Sequence, residues 1–390
     1  MIPYGKHHID NEDIEAVVNV LRSGTLTQGP SIEKFEKTVA EYVGAKYALA
    51  VSSGTAALHL SALAAGLDPN GTLITSPITF VASANAGRYV GANVEFVDID
   101  PGTVNMSPAA LKERVTKDSN FKVIIPVHFA GLPCDMAEIK KIADDAKSIV
   151  IEDAAHALGA QYTCGRRVGS CAYSLATTFS FHPVKAIAAG EGGMITTNDE
   201  ALYRKLLRLR SHGINKLDDE LQQPLQGRTH NEVNPWYYEM QELGFHYRIT
   251  EIQAALALSQ FSKLDQFISR RRHLVERYDE AFFGMKYCQP AQIMGRDLSG
   301  HHLYVLRIQF DLVGISRVEF MKRLRDKGVG SQVHYIPVPA QPYYRKLGHM
   351  PELYLNAQKY YEEAISIPLF YDLTRQEQDL VITAIKDALG

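Results

Sequence analysis

Cysteine is scarce in this chain, four among 390 residues, and no two of them form a Cys-x-x-Cys pair. That excludes a zinc knuckle and a thioredoxin-like redox motif, and leaves buried free thiols as the expectation for Cys134, Cys164, Cys171 and Cys288. Charge of one sign is lacking too: 41 Lys and Arg face 44 Asp and Glu, a net charge of −3. Nothing therefore draws the protein toward nucleic acid or an anionic membrane. No apolar run is long enough to span a bilayer. The opening stretch MIPYGKHHIDNEDIEAVV turns acidic without the apolar core of a signal peptide, so a cytoplasmic location is the expectation. Neither Gly-x-x-x-x-Gly-Lys-Ser/Thr nor Gly-x-Gly-x-x-Gly occurs, which removes the P-loop and the standard dinucleotide fingerprint. Internal repeats and low-complexity tracts are absent as well.

What is present is an ordinary globular composition, 46% hydrophobic and 22% charged, in a chain long enough for one large domain and a smaller one. The first half alternates two patterns. NEDIEAVVNVLRS, SIEKFEKTVAEYVG, GTAALHLSALAAGL, SPAALKERVTKD and CDMAEIKKIADDAK have helical spacing. AKYALAVSS, GTLITSPIT, VEFVDID, FKVIIPVHF and SIVIEDAAH are short apolar runs that read as buried strands. Strands alternating with helices predict an α/β fold with a mostly parallel sheet flanked by helices. From about residue 214 a polar, aperiodic stretch reads as a long functional loop. ITEIQAALALSQFSKLDQFISRRRHLVERYDEAF then reads as one long helix, and HHLYVLRIQF, SRVEFMKRLRDKG and GSQVHYIPV as a smaller α+β C-terminal domain. The boundaries this suggests are 1–245 for the large domain and 246–390 for the rest.

Candidate chemistry gathers at the carboxyl ends of the predicted strands, where open α/β sheets bind ligands. In SSGTAALHL a strand ends and Gly54-Thr55 opens a helix, which suits a phosphate, although Ser-Gly-Thr is equally a helix cap. Phe80 lies just past a strand among small residues, placed to lie flat on a ring or simply to pack. Asp153 ends a buried strand, with His156 three residues on. A buried carboxylate there faces a cation or a ligand, and with no further ligands at metal spacing a protonated heteroaromatic nitrogen suits it better than a metal. Ser180 is a second hydroxyl at a strand end. Lys185 stands alone in FSFHPVKAIAAGEGGMIT, a charge-poor, Gly-rich setting that suits a lysine meant to lose its proton or form a Schiff base. Anchored phosphate, stacked ring, charged ring nitrogen and covalently held aldehyde are together what pyridoxal 5′-phosphate requires.

LTQGP, SSGTAAL, PITFVASANA, EDAAHALGA, SFHPVK, GEGG, RSHGI and YRITEIQAAL occur in that order along the chain. The set resembles the DegT/DnrJ/EryC1/StrS family of sugar aminotransferases, pyridoxal-phosphate enzymes of fold type I. The resemblance implies that Lys185 is the lysine covalently bound to the cofactor and Asp153 the partner of its ring nitrogen. His156 would lie on the substituent side of the ring, Phe80 would stack on it, and Gly54, Thr55 and Ser180 would hold the phosphate. It also implies that Tyr4, Leu26, Thr27, Gln28, Gly29, His182, His334, Tyr335, Ile336 and Pro337 border a nucleotide-sugar substrate. L-Glutamate would be the amino donor, and the active unit a homodimer with shared sites. Relatives tend to read Gly-Phe-Asn-Tyr-Arg where this chain has GFHYR, so His246, with Arg248, would stand where an asparagine reaches the neighbouring subunit's cofactor. Other motifs, ITSPITFVASANA, PVHFAGLPCDM, WYYEMQELGF and VHYIPV, resemble the branch that aminates C4 of UDP-linked 4-keto-6-deoxy sugars. Three alternatives remain open: another UDP- or dTDP-sugar, a 3-dehydratase of the same fold (which replaces the lysine by histidine), and a non-catalytic cofactor-binding regulator.

Overall fold

The computed structural model describes residues 1–117, 120–215, 221–230 and 232–390. Its centre is a seven-stranded sheet built from β1 (Tyr47–Val51), β2 (Thr72–Thr75), β3 (Asn93–Phe96), β4 (Phe121–Ile125), β5 (Ile149–Asp153), β6 (Ala176–Ser180) and β7 (Gly193–Thr197). The spatial order is β1-β7-β6-β5-β4-β2-β3. Strand β7 runs antiparallel to both of its neighbours, and the other pairings are parallel. β1, β2, β4, β5 and β6 therefore end along one edge, and the loops leaving them converge there.

The local signals of the sequence explain the helices. Helix α1 (Asn11–Ser23) starts in a capping box made by Asp10 and Asp13. Helix α2 (Pro30–Val43) has proline in its first turn and ends at Gly44 in the left-handed conformation. Helix α3 (Gly54–Ala64), seven of whose eleven residues are Ala or Leu, is buried along most of its length, so it lies within the fold rather than on it. Helix α4 (Ala82–Tyr89) follows the loop after β2. One large apolar core, with Phe35, Val39, Phe179, Phe181, Phe261 and Phe267, fills one side of the sheet.

A second core forms around the antiparallel sheet of Cys288–Pro290, Tyr304–Ile308 and Ala364–Ile367, covered by helices Arg317–Asp326 and Arg375–Leu389. The N-terminal segment joins this second core. Ile2 exchanges two backbone hydrogen bonds of 2.8 Å with Gly328 and Gly330, and the chain then delivers Tyr4 to the sheet edge.

Two expectations need correction. The run from Ile249 to Phe282 is two helices, Glu251–Phe261 and Leu264–Phe282, with Lys263 leaving helical geometry between them. The Lys263 ammonium turns to Asp10 at 2.7 Å and Asp13 at 2.9 Å, locking the break onto the start of α1. Cys164 is exposed, unlike the three other thiols. The aromatic stretch Trp236 to Tyr247 divides: Trp236 and Tyr238 are exposed, but Phe245 and Tyr247 stack on each other and pack against His59 of α3. Residues 216–220 and 231 of the polar loop lie outside the described residues. The flanks of the loop pair with each other, Asn215 with Glu239 and Ile214 with Met240.

Candidate active site

A cavity of about 400 Å³ opens at the carboxyl edge of the sheet. Of the residues singled out in the sequence, it brings together Tyr4, Gly54, Thr55, Phe80, Asp153, His156, Ser180, His182, Lys185, His334 and Tyr335. They come from four strand ends, those of β1, β2, β5 and β6, the N-terminal segment and the segment following helix Arg317–Asp326.

The turn from β1 into α3 and the hairpin of β6 and β7 approach so closely that glycine is required on both sides. A Cβ on Gly54 would meet Ser180 Cβ at 2.8 Å, and one on Gly193 would meet the Ser53 carbonyl oxygen at 2.4 Å. Ser53 spends its hydroxyl on the cap, accepting from Ala56 N–H at 3.1 Å. The capping reading is thus right for Ser53, and Gly54, Thr55 and Ser180 line the cavity beyond it.

Adjacent carboxylates of β5 point to opposite faces, as alternation in a strand requires. Glu152 turns into the core, where His128 Nε2–H donates to it at 2.7 Å and the Tyr162 hydroxyl at 2.6 Å. Asp153 turns into the cavity. Its Oδ1 accepts from the Ala155 amide at 3.1 Å and its Oδ2 from the Ser83 hydroxyl at 2.6 Å. Among the described residues no cation lies within ion-pair distance of this buried carboxylate. Lys185 acts on it only from beyond contact distance, and a buried anion with no cation in contact is costly, so a protonated nitrogen in the cavity suits it.

Lys185 lies in the loop after β6, its amide bonded to the His182 carbonyl at 2.8 Å. Burial pulls its pKa down from 10.5 to about 8, against the opposing pull of the Asp153 charge. Phe80 is 58% exposed at the mouth, so one ring face is free to stack.

The imidazoles are set by burial. That of His156 is held well below its ordinary pKa by desolvation and then by the charges of Lys185 and His334. Burial and the Lys185 charge lower His334 to about 4. The Ala130 N–H donates to His156 Nδ1 at 3.3 Å, so the ring proton sits on Nε2, 3.1 Å from the Tyr335 oxygen. His156 therefore donates to Tyr335, and the Tyr335 proton is left for the cavity.

Some of the sequence-derived candidates do not reach this cavity. Leu26 is exposed, Thr27 bridges to Thr250, and Gln28 turns with φ 54° into Gly29. The amides of Gly29, Ser31 and Ile32 donate to the buried Glu251 carboxylate at 3.0, 2.8 and 3.1 Å. Ile336 is exposed, and Pro337 leads into a short turn whose Val338 amide bonds the Pro77 carbonyl at 2.9 Å. His246 bridges to Ser211 with its ring 5.4 Å from that of His212, and Arg248 follows it outside the cavity.

Conversely, the wall includes residues the sequence did not single out, Ser53, Thr178, Glu191 and His302 among them. The His302 ring is centred 4.3 Å from that of His156, tilted by 39°, and its buried Nδ1 has no hydrogen-bond partner among the described residues. Nothing local marks it, because the contact joins residues far apart in the chain. No group of three or more His, Cys, Asp or Glu among the described residues is arranged to hold a metal. No helix among them is long and apolar enough to cross a membrane.

Comparison with known proteins places these features in a context. The profile of the DegT/DnrJ/EryC1/StrS aminotransferase family matches residues 7–386. The spore coat polysaccharide biosynthesis protein SpsC of Bacillus subtilis is 38% identical over 388 residues, covering 99% of this chain and 96% of its own. Among solved structures, Helicobacter pylori PseC, an aminotransferase involved in the biosynthesis of pseudoaminic acid, superposes with a TM-score of 0.89 at 30% identity, covering 100% of this chain and 99% of its own. The sugar aminotransferase Spr1654 of Streptococcus pneumoniae in its PLP form gives 0.88 at 28% identity, over 100% of this chain and 98% of its own.

Proposed function

Because this chain belongs to the DegT/DnrJ/EryC1/StrS aminotransferase family, whose members use pyridoxal 5′-phosphate, we propose that it moves an amino group from L-glutamate to C4 of a nucleotide-linked 4-keto-6-deoxy sugar. The substrate we favour is UDP-2-acetamido-2,6-dideoxy-β-L-arabino-hexos-4-ulose, and the likeness to PseC supports it. The observation that carries the reading is Lys185 and Asp153 lining one cavity together with the exposed Phe80 and with Gly54, Thr55 and Ser180.

These residues fit the cofactor. The Asp153 carboxylate has no cation in contact among the described residues and would hold the ring nitrogen in its protonated form. Gly54, Thr55 and Ser180 would take the phosphate, Phe80 one ring face, His156 the substituent side, and Lys185 the aldehyde. When bound, the cofactor supplies an aldehyde that takes up the amino group and a ring that accepts the electrons left by a departing proton.

The chain's own residues do the rest. Lys185, as a neutral amine, removes the proton from the donor's α-carbon and in the second half delivers one to C4 of the sugar. Its lowered pKa makes that neutral form available near neutrality. Tyr4, His182, His334 and Tyr335 border the sugar. A second copy of the chain would complete the site. The exposed Trp236 and Tyr238, and the position of His246 and Arg248 outside their own chain's cavity, support a homodimer in which these two residues face the partner's cofactor phosphate. Leu26, Thr27, Gln28, Gly29, Ile336 and Pro337 would then border the nucleotide from the rim.

The test is a panel of UDP- and dTDP-linked 4-keto-6-deoxy sugars supplied with L-glutamate, each product identified by NMR. Amination at C4 of the UDP-linked N-acetyl sugar with the highest kcat/KM supports the reading. Preference for a dTDP sugar, or amination at C3, rejects it.

A further inference from the structure

Ser83 is not among the residues that line the cavity. It lies in the first turn of α4 and is fully buried. A small residue there needs no functional reason, but its hydroxyl is committed across a sequence distance of 70 residues, to Asp153 Oδ2 at 2.6 Å. Thr79, also buried, places its Oγ1 2.7 Å from Ser83 Oγ.

The direction of this chain follows from its end. An ionised carboxylate only accepts, so Ser83 donates to Asp153 and its oxygen is left to accept from Thr79. The alternative acceptor for Ser83, the Phe80 carbonyl, is 3.5 Å away and competes poorly. Hydrogen bonds to a charged acceptor in a buried setting are short and strong, and chained hydroxyls reinforce one another. Asp153 faces an open cavity, so without Ser83 only the Ala155 amide would restrain the carboxylate.

We propose that Ser83, backed by Thr79, is a positioning residue for the transamination: it fixes the orientation and the charge of Asp153, so that the carboxylate keeps the ring nitrogen of bound pyridoxal phosphate protonated. The inference rests on the assignment of Asp153 to that nitrogen. Ser83 acts through Asp153 and does not itself touch the substrate.

The experiment loads the holoenzyme with ¹⁵N-labelled pyridoxal phosphate and follows the ring-nitrogen resonance against pH in wild type, Ser83→Ala, Thr79→Val and Asp153→Asn. Asp153→Asn sets the scale by releasing the ring proton at lower pH than wild type. Ser83→Ala is expected to shift the titration the same way, with the half-reaction toward L-glutamate slowed about tenfold at little changed KM, the size of a lost charge-assisted hydrogen bond. Thr79→Val gives a smaller shift in that direction. If Asp153→Asn is displaced and Ser83→Ala titrates as wild type, Ser83 merely packs and the inference is wrong. If Asp153→Asn itself titrates as wild type, the assignment of Asp153 fails and the inference with it. Should Ser83→Ala not retain the cofactor, Thr79→Val decides: an unmoved titration rejects the relay, and a shift toward lower pH supports it.

Discussion

Lys185 sits where burial works against its charge, and the consequence is measurable before any substrate is known. With its pKa near 8 instead of 10.5, about one chain in ten carries the neutral amine at pH 7, against roughly three in ten thousand for an unshifted lysine. Only the neutral amine attacks an aldehyde. Capture of pyridoxal phosphate by the unloaded protein, followed by stopped-flow absorbance, should therefore accelerate as pH rises through 8 and level off above it. A rate still climbing toward 10.5 contradicts the buried setting. Stability follows with a definite sign. The folded pKa lies below the unfolded one, so the unfolded chain binds more protons between pH 8 and 10.5, and the unloaded fold gains stability as pH rises through that window. Tyr335 gives a second test at this scale. His156 already donates to its oxygen, so the Tyr335 proton serves the cavity. Tyr335→Phe is expected to retain the cofactor and lose about a hundredfold in kcat, the lower end of the range for a positioned proton donor. An unchanged kcat would mean that the hydroxyl is only part of the wall.

At the scale of elements, the Glu251 carboxylate does for α2 what a local cap does elsewhere. It receives three amides from the start of that helix and is itself the first residue of helix Glu251–Phe261. Glu251→Ala strands those donors, the Ile32 amide fully buried and the other two partly so, and should cost about 2–4 kcal/mol, read as a lowered urea midpoint at unchanged slope. A loss within 0.5 kcal/mol, the range of an ordinary surface change, would show that water replaces the carboxylate. This cap also shows where sequence reading stops. Helices α1, α2 and α3 and strands β1 to β6 were legible because their apolar periods and caps are local. Asp153, Ser180 and Lys185 were legible because strand ends carry chemistry in an α/β sheet. The break at Lys263 was not, since its cause is a pair of aspartates about 250 residues away. Ser83 and His302 were missed for the same reason: each earns its place through a partner that only the fold brings near.

For the whole molecule, the account requires two chains to make one site. His246 and Arg248 lie outside their own cavity, and large apolar side chains, Trp236, Tyr238, Met240 and Leu243, stand exposed on the same stretch. Mixing Lys185→Ala chains with chains carrying both His246→Ala and Arg248→Ala should then recover activity in the heterodimer, which would hold one intact site. No recovery in heterodimers proven by mass spectrometry would place both residues at a site within their own chain.

Beneath all of this lies the claim that Lys185 is the residue which holds the cofactor. Borohydride reduction of the loaded enzyme followed by peptide mapping tests it directly. The account predicts a single reduced pyridoxyl adduct on the peptide containing Lys185, absent when L-glutamate is added before the borohydride. An adduct on another lysine, with Lys185 unmodified, would contradict it.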